Sequence, residues 1–404
     1  MASAAAQEIH GNFNRLSFTR NFLEWAAQDR RLISITVKTE SESDTYSIKT
    51  IRKLQNAGFS LQTMTNLFAI TKNNIQVGHA SFEQLRVICW YWNNGDQIVF
   101  PVNSENTIYL GNDGLEWIDY WPFLKKINYN SYACALPSFK LTSINKASKS
   151  EPHLLIGGQA HFGHFIMNQL VSLRANLDSN KCPSNWFSII HPPDYTEIHR
   201  ELLKHYAGLN TTKWHSLPKQ NGIFEIVNCA VPCIDEHAFG LIHGKGAIEL
   251  KFNNREIAQG KRIYITRGIE GRNDRLLNFN KFVQDIEDLG FYVCNPSNLD
   301  FKEKLNLLGD AEIILSDSGS CWLNGLLFSN LYTKLINMFP SSILSCINQY
   351  AIGQLPMNIG LFTDNIMYPL EVSEKTKQSN SNPWYDKCIP PSKDEILSAI
   401  QNRF

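Results

Sequence analysis

The chain has 404 residues, 43% of them hydrophobic, enough for two domains or one large one with a real core. Lysine plus arginine and aspartate plus glutamate number 38 each, giving a formal net charge of +0. That balance excludes a general nucleic-acid or membrane-surface binder, which carries a basic excess. The nine cysteines are scattered and odd in number, as in a cytosolic protein with reduced thiols, and no run approaches the ~18 apolar residues of a membrane span.

In chain order, residues 18–30 and 79–86 read as helices, and 87–92 as a buried apolar run. Trp117, Trp121 and Phe123 form an aromatic cluster beside Lys125 and Lys126. A short strand at 154–156 ends in Gly157-Gly158, and a helical pattern covers 165–177. Strand 186–190 breaks at His191-Pro192-Pro193. Asp194 and Glu197 have capping-box spacing for a helix running to Tyr206, and strand 224–229 follows. This alternation from about 150 to 235 is the signature of a parallel sheet. Residues 247–259 read as helical, and the domain boundary is placed nearby.

From residue 261 the alternation is regular: strand 262–266, helix 280–289, strand 291–294, helix 300–310, strand 312–316, helix 320–329 and strand 333–338. Residues 373–383 are polar and read as a linker, and a last helix is capped by Ser392 and Glu395. The expected architecture is α/β, with two doubly wound Rossmann-type domains facing a cleft and a C-terminal helix returning to the N-terminal domain. The expected divisions are 1–245, 246–345 and a C-terminal extension at 346–404.

Three constellations carry chemistry. Arg267, Arg272 and Arg275 lie at and after the carboxyl end of a strand, where open α/β sheets bind ligands, and guanidinium forks suit phosphate. The alternative is a solvated loop partly neutralised by Glu270 and Asp274. Asp317-Ser318-Gly319-Ser320 links a buried strand to a helix carrying Asn324. Glycine lets backbone N–H groups approach an anion there, and an ordinary strand-to-helix turn is the plainer reading. His161-Phe162-Gly163-His164 opens a helix, where a neutral histidine can take a proton near pH 7; capping and packing are the alternative roles. Cys229, Cys233, His237 and His243 have zinc-like spacing, but Pro232 intervenes, no second Cys-x-x-Cys exists, and packing is favoured. There is no Asp-x-Asp, so no metal or other cofactor is expected. Arginines and helix dipoles would stabilise a leaving diphosphate.

The run Lys261-Arg262-Ile263-Tyr264-Ile265-Thr266-Arg267 resembles the lysine-strand-serine/threonine-arginine signature of glycosyltransferase family 61. Leu277-Asn278, Leu289-Gly290-Phe291, the helix around Glu303, residues 311–324, Phe328 and Pro340 also fit. His161-Phe162-Gly163-His164-Phe165 is similar to the family's asparagine-phenylalanine-glycine-histidine-tryptophan element. The resemblance spans about 150–345. It implies a GT-B fold and inverting, metal-independent transfer from a nucleotide sugar, usually a UDP-sugar, to a hydroxyl of an oligosaccharide or polysaccharide in capsule or surface-glycan synthesis. It places His164, His161 and Asn168 at the catalytic centre, and Arg267, Arg272, Arg275, Asp317, Ser318, Gly319, Ser320 and Asn324 around the donor. The expected location is cytoplasmic, with a peripheral place at the inner face of the membrane beside glycan-assembly partners left open, and no nucleic acid is expected as a partner. The chain departs from the family pattern at Asn168 (often aspartate, and an amide cannot act as a base), Ser318 (histidine), Phe279 (glutamate), Lys304 (glutamine) and Asn337 (acidic). These departures motivate a rival reading, a non-catalytic carbohydrate-binding or scaffold subunit. Another two-domain transferase with an anionic donor is a second rival.

Overall fold

The computed structural model describes residues 14–19, 21–40, 75–91, 97–110, 121–128, 131–136, 138–140, 152–178, 186, 188–209, 213–234, 256–266, 276–317, 319–330, 332–340, 367–372 and 388–402. They fall into two compact units, one within 14–234 and one within 256–402. The boundary expected at 245/246 and the linker at 373–383 lie outside the described residues.

The first unit runs β1 (Asn14–Thr19), α1 (Phe22–Ala27), β2 (Leu32–Glu40), β3 (Ile75–Tyr91), β4 (Gln97–Val102), β5 (Thr107–Tyr109), β6 (Leu124–Asn128), β7 (Ser131–Cys134), β8 (Ser138–Lys140), β9 (His153–Leu155) and β10 (Gly158–Gln159). Helix α2 follows in three parts: Phe162–His164, a π-helical Phe165–Leu170 and Val171–Asp178. Then come β11 (Ser188–His191), α3 (Glu197–Tyr206), β12 (Trp214–Ser216) and β13 (Gly222–Pro232).

Among the described residues these strands form one mixed 13-stranded sheet, ordered β12-β11-β9-β13-β3-β4-β5-β1-β7-β6, with β2, β8 and β10 pairing off this path. The parallel part expected at 150–235 is present, since β9 pairs in parallel with β11 and β13, and β11 with β12. It is joined to an antiparallel part through β13 and the long β3, which also pairs β2 and β4. The first unit is therefore a mixed sheet, not the purely doubly wound one expected.

Two helical expectations are corrected here. Residues 79–86 lie inside strand β3, although Ala80, Glu83, Gln84, Leu85 and Arg86 all favour helix. Neighbours on both sides of β3 supply its backbone partners, and Phe82 and Leu85 are buried in the sheet core, so tertiary pairing overrides propensity. The pattern at 18–30 yields only α1, with Thr19 closing a strand and Asn21 capping the helix by accepting from Glu24 N–H at 3.1 Å. One core cluster packs Phe22, Trp25, Phe82 and Tyr109, and another gathers Leu16, Phe100, Trp121 and Phe123. From α2, Asn176 clamps the sheet. Its carbonyl accepts from Gly78 N–H at 2.6 Å and its amide donates to the Cys233 carbonyl at 2.9 Å.

The second unit contains β14 (Ala258–Ile265), α4 (Phe279–Asp288), β15 (Phe291–Cys294), α5 (Phe301–Leu308), β16 (Ala311–Asp317), α6 (Ser320–Phe328), β17 (Lys334–Pro340), β18 (Met367–Val372) and α7 (Lys393–Asn402). Its five strands are all parallel, in the order β15-β14-β16-β17-β18. Of the helix expected at 247–259, Ala258 and Gln259 belong to β14; residues 247–255 are outside the described set. The capping box of Asp300 and Glu303 starts α5 by mutual hydrogen bonds of 2.7 and 2.8 Å, and Ser392 with Glu395 starts α7 as expected. Strand β18 and helix α7, from the stretch read as an extension, complete this unit. Ile396, Ala399 and Ile400 of α7 pack with Tyr264, Phe282 and Ile286, and Lys393 reaches Asp285 and Asp288. That packing corrects the expectation that the last helix returns to the N-terminal domain: its apolar face belongs to the second unit's own core.

Candidate functional site

In the second unit the strand order reverses direction between β14 and β16, the first and third strands of a 2-1-3-4-5 arrangement. In such sheets ligands bind beyond the carboxyl ends at this switch point. Two strand ends meet there. Tyr264 and Thr266 are two residues apart and so point to one face. Tyr264 donates its hydroxyl to Asp317 Oδ1 at 2.7 Å, and Thr266 donates to Asp317 Oδ2 at 2.9 Å. Burial, and then the neighbouring carboxylate, hold the Tyr264 phenol well above its ordinary pKa, so it stays a donor. Both oxygens of Asp317 thus take protein donors, and the carboxylate fixes the end of β16 against β14.

Gly319 follows with φ +88° and ψ −138°, a backbone region that favours glycine. It is the N-cap of α6, whose first N–H groups lie in the next turn. Asn324 is 4% exposed. Its amide donates to the Ser320 carbonyl at 2.8 Å, while its Oδ1 has no hydrogen-bond partner. Asp317, Gly319, Ser320 and Asn324 therefore share one strand-turn-helix at the switch point. Arg267, Arg272, Arg275 and Ser318 lie outside the described residues.

In the first unit the parallel strands β9 and β11 end at the Gly157-Gly158 turn and at His191. His161 caps α2, its Nδ1 accepting from Gly163 N–H at 3.3 Å, and its ring lies 5.6 Å from that of His164. The two histidines are thus brought together at the helix start. Asn168 lies in the π-helical segment, a distortion frequent at functional sites; its side chain is outside the described set.

The loop carrying His161 is tethered by His199 of α3. His199 Nδ1 accepts from the Thr196 backbone N–H at 3.1 Å, which leaves Nε2–H to donate to the Ala160 carbonyl at 3.2 Å. The capping pair of α3 is accordingly Thr196 and His199, not Asp194 and Glu197. Asp194 instead donates its N–H to Gln97 and pairs with Lys219 at 2.9 Å. Behind the turn, Gln169 is 1% exposed, has both side-chain polar atoms without partners, and lines a cavity with Phe100, Tyr109 and Gly158. Gly158 has φ +83°, and a β-carbon there would overlap Gln169 Nε2. Gly158→Ala is expected to cost about 1–2 kcal/mol through strain, read as a lower denaturant midpoint at unchanged slope.

Cys229 and Cys233 are buried, and burial pushes the Cys229 thiol strongly up, as packing residues would have it. His237 and His243 are outside the described residues. Among the described residues no group of three or more His, Cys, Asp or Glu could hold a metal ion, and no helix is long and apolar enough to cross a membrane.

Residues 162–335 match the glycosyltransferase 61 family. The matched stretch opens with α2, one residue after His161, and closes in β17, so it takes in His164, β14 and the whole Asp317-to-Asn324 turn. It bears out the resemblance read from the Lys261-to-Arg267 run and supports transferase activity. No curated protein matches the chain. Within the glycosyltransferase 61 stretch, sequence reasoning passed over Tyr264, Thr266, Gln169 and the tether at His199. The spacing of Tyr264 and Thr266 on one strand face was the available signal for the first two.

Proposed function

We propose that the protein is an inverting, metal-independent glycosyltransferase. It moves a sugar from a nucleotide donor, a UDP-sugar by preference, to a hydroxyl of a growing capsule or surface polysaccharide. The observation that carries this reading is the switch point of a parallel sheet inside the family-matched region, ending in Gly319 and the α6 N-terminus. The donor lies on the second unit, with its diphosphate at that turn and at Arg267, helped by Arg272 or Arg275. Ser318, Ser320 and Asn324 line the same site. The acceptor lies on the first unit, beside His161, His164 and Asn168. The acceptor oxygen bonds to the anomeric carbon from the face opposite the nucleotide, and the bond from that carbon to the diphosphate oxygen breaks with its electron pair. The acceptor proton passes to His164 or His161. Asn168 cannot take it, and its amide is suited to orienting a hydroxyl. Arg267 and the α6 N-terminus take up the charge developing on the leaving group.

A thermal-shift panel of UDP, CMP, GDP and dTDP, with and without EDTA, tests the donor assignment. One nucleotide is expected to stabilise the protein regardless of chelator. Arg267→Ala is expected to lose that shift and to lower turnover by roughly 10²-fold. Near-wild-type turnover in the variant would remove Arg267 from the site, and no shift with any nucleotide would favour the non-catalytic carbohydrate-binding reading.

A further inference from the structure

We propose that Gln169, on the π-helical part of α2, holds one internal water against the Gly157-Gly158 turn. The site is independent of the transferase reading, and it backs the turn from which the chain runs to His161, the cap of α2. Gln169 is 1% exposed, and neither Nε2 nor Oε1 of its side chain has a hydrogen-bond partner. A primary amide carries two N–H donors and one carbonyl acceptor, and burying them unbonded forfeits their hydration. Native proteins leave few such groups unbonded, and ordered water serves those that no protein group reaches.

The surroundings suit a water and exclude larger or charged ligands. The amide lines a cavity of about 10 Å³, the room one water needs. Phe100, Leu110, Leu155 and Val231 line the same cavity. So does Tyr109, whose hydroxyl is committed to the Ile234 backbone, donating to the carbonyl at 2.8 Å and accepting from the N–H at 3.0 Å. A sugar ring has no room there, and an ion would meet no opposite charge among the lining residues. One water oxygen can accept from the amide N–H and donate to the C=O on the same edge of the group. The turn is shaped to admit the amide. Gly158 has φ +83°, and a β-carbon there would stand 1.6 Å from Gln169 Nε2. A β-carbon on Gly157 would stand 2.7 Å from the Val99 carbonyl oxygen, so the turn is wedged between β4 and α2. Glycine alone permits both approaches.

The test is Gln169→Met in the full chain, a side chain of similar size without the amide. A cavity left with apolar walls stays dry, so the variant loses the water and its bonds together. It is expected to melt about 2–4 °C below wild type. An amide without a ligand predicts the opposite sign, because replacing buried groups that lack partners by an apolar side chain of the same shape is neutral or stabilising. A variant that melts at or above the wild-type temperature would therefore overturn the site. A high-resolution crystal structure of the wild-type chain is the second arm, and it does not depend on the variant folding. An isolated oxygen about 2.7–3.2 Å from both Nε2 and Oε1 is expected. A protein group bonded to the amide, or no oxygen within that reach, would overturn the proposal whatever the variant does.

Discussion

Asp317→Ala is expected to destabilise the second unit by about 3–5 kcal/mol and to abolish nucleotide binding. The carboxylate accepts from two hydroxyls, at 2.7 Å from Tyr264 and 2.9 Å from Thr266, and those residues are 0% and 3% exposed. Hydrogen bonds to a charged acceptor contribute about 1.5–3 kcal/mol each, and a buried donor left without a partner bears its desolvation cost in full. Alanine removes the acceptor that both hydroxyls share, and leaves the fully buried Tyr264 hydroxyl with only its bond to Thr266. Tyr264→Phe removes one donor and leaves Asp317 the other, so it should cost about 1 kcal/mol. Asp317→Asn retains one acceptor oxygen and should fall between. Chemical denaturation of the four proteins gives the order directly. If Asp317→Ala and Tyr264→Phe unfold at the same midpoint, the carboxylate is not what joins β16 to β14. The functional arm follows from position: Asp317 ends the strand that delivers Gly319 to α6, so a displaced strand end should lose the nucleotide-induced thermal shift.

The same turn shows why parts of this protein are legible in its sequence. In the second unit the inner strand β16 is buried along almost its whole length and reads as an apolar run, and α5 and α7 carry their own capping signals. Strand 312–316 and the starts at Asp300 and Ser392 are therefore found where local chemistry puts them. The first unit is built differently. Along 79–86 strand β3 pairs with β2 and with β13, the latter far away in sequence, and nothing local announces that arrangement. Local capping rules likewise favoured Asp194 and Glu197, whereas His199 serves the cap because its other nitrogen has a carbonyl to reach at Ala160. In the candidate site, small residues between an apolar strand and an apolar helix made the Asp317-to-Asn324 turn visible. The Tyr264 and Thr266 bonds to Asp317 span more than fifty residues and exist only because β14 and β16 are neighbours.

Acid is expected to unfold the first unit between about pH 6.5 and 4, through His153 and His191. Both are buried, at 2% and 0% exposure. His153 lies against Ser188, its ring 6.3 Å from that of His215, and burial followed by repulsion from His215 lowers it to about 4. His191 donates Nδ1–H to the Pro192 carbonyl at 2.6 Å, while its Nε2 has no partner. Burial lowers it to about 4 as well, with Arg200 and His215 adding to the effect and the Pro192 bond opposing it. In the unfolded chain both titrate near 6.5, so below that pH the unfolded state binds protons that the folded state refuses. Stability is then full above about 6.5 and falls until the folded groups also charge near 4. Each histidine accounts for about 3 kcal/mol over that window, a large part of a typical domain's total. Urea midpoints at pH 7.5, 6.5, 5.5 and 4.5 should drop steeply for wild type, and less for His153→Gln or His191→Gln measured against each variant's own value at pH 7.5. Equal slopes in all three proteins would show that other groups govern the acid transition. Because His191 ends β11 and α3 holds the His161 loop through His199, the sugar transfer proposed above should fail in the same window.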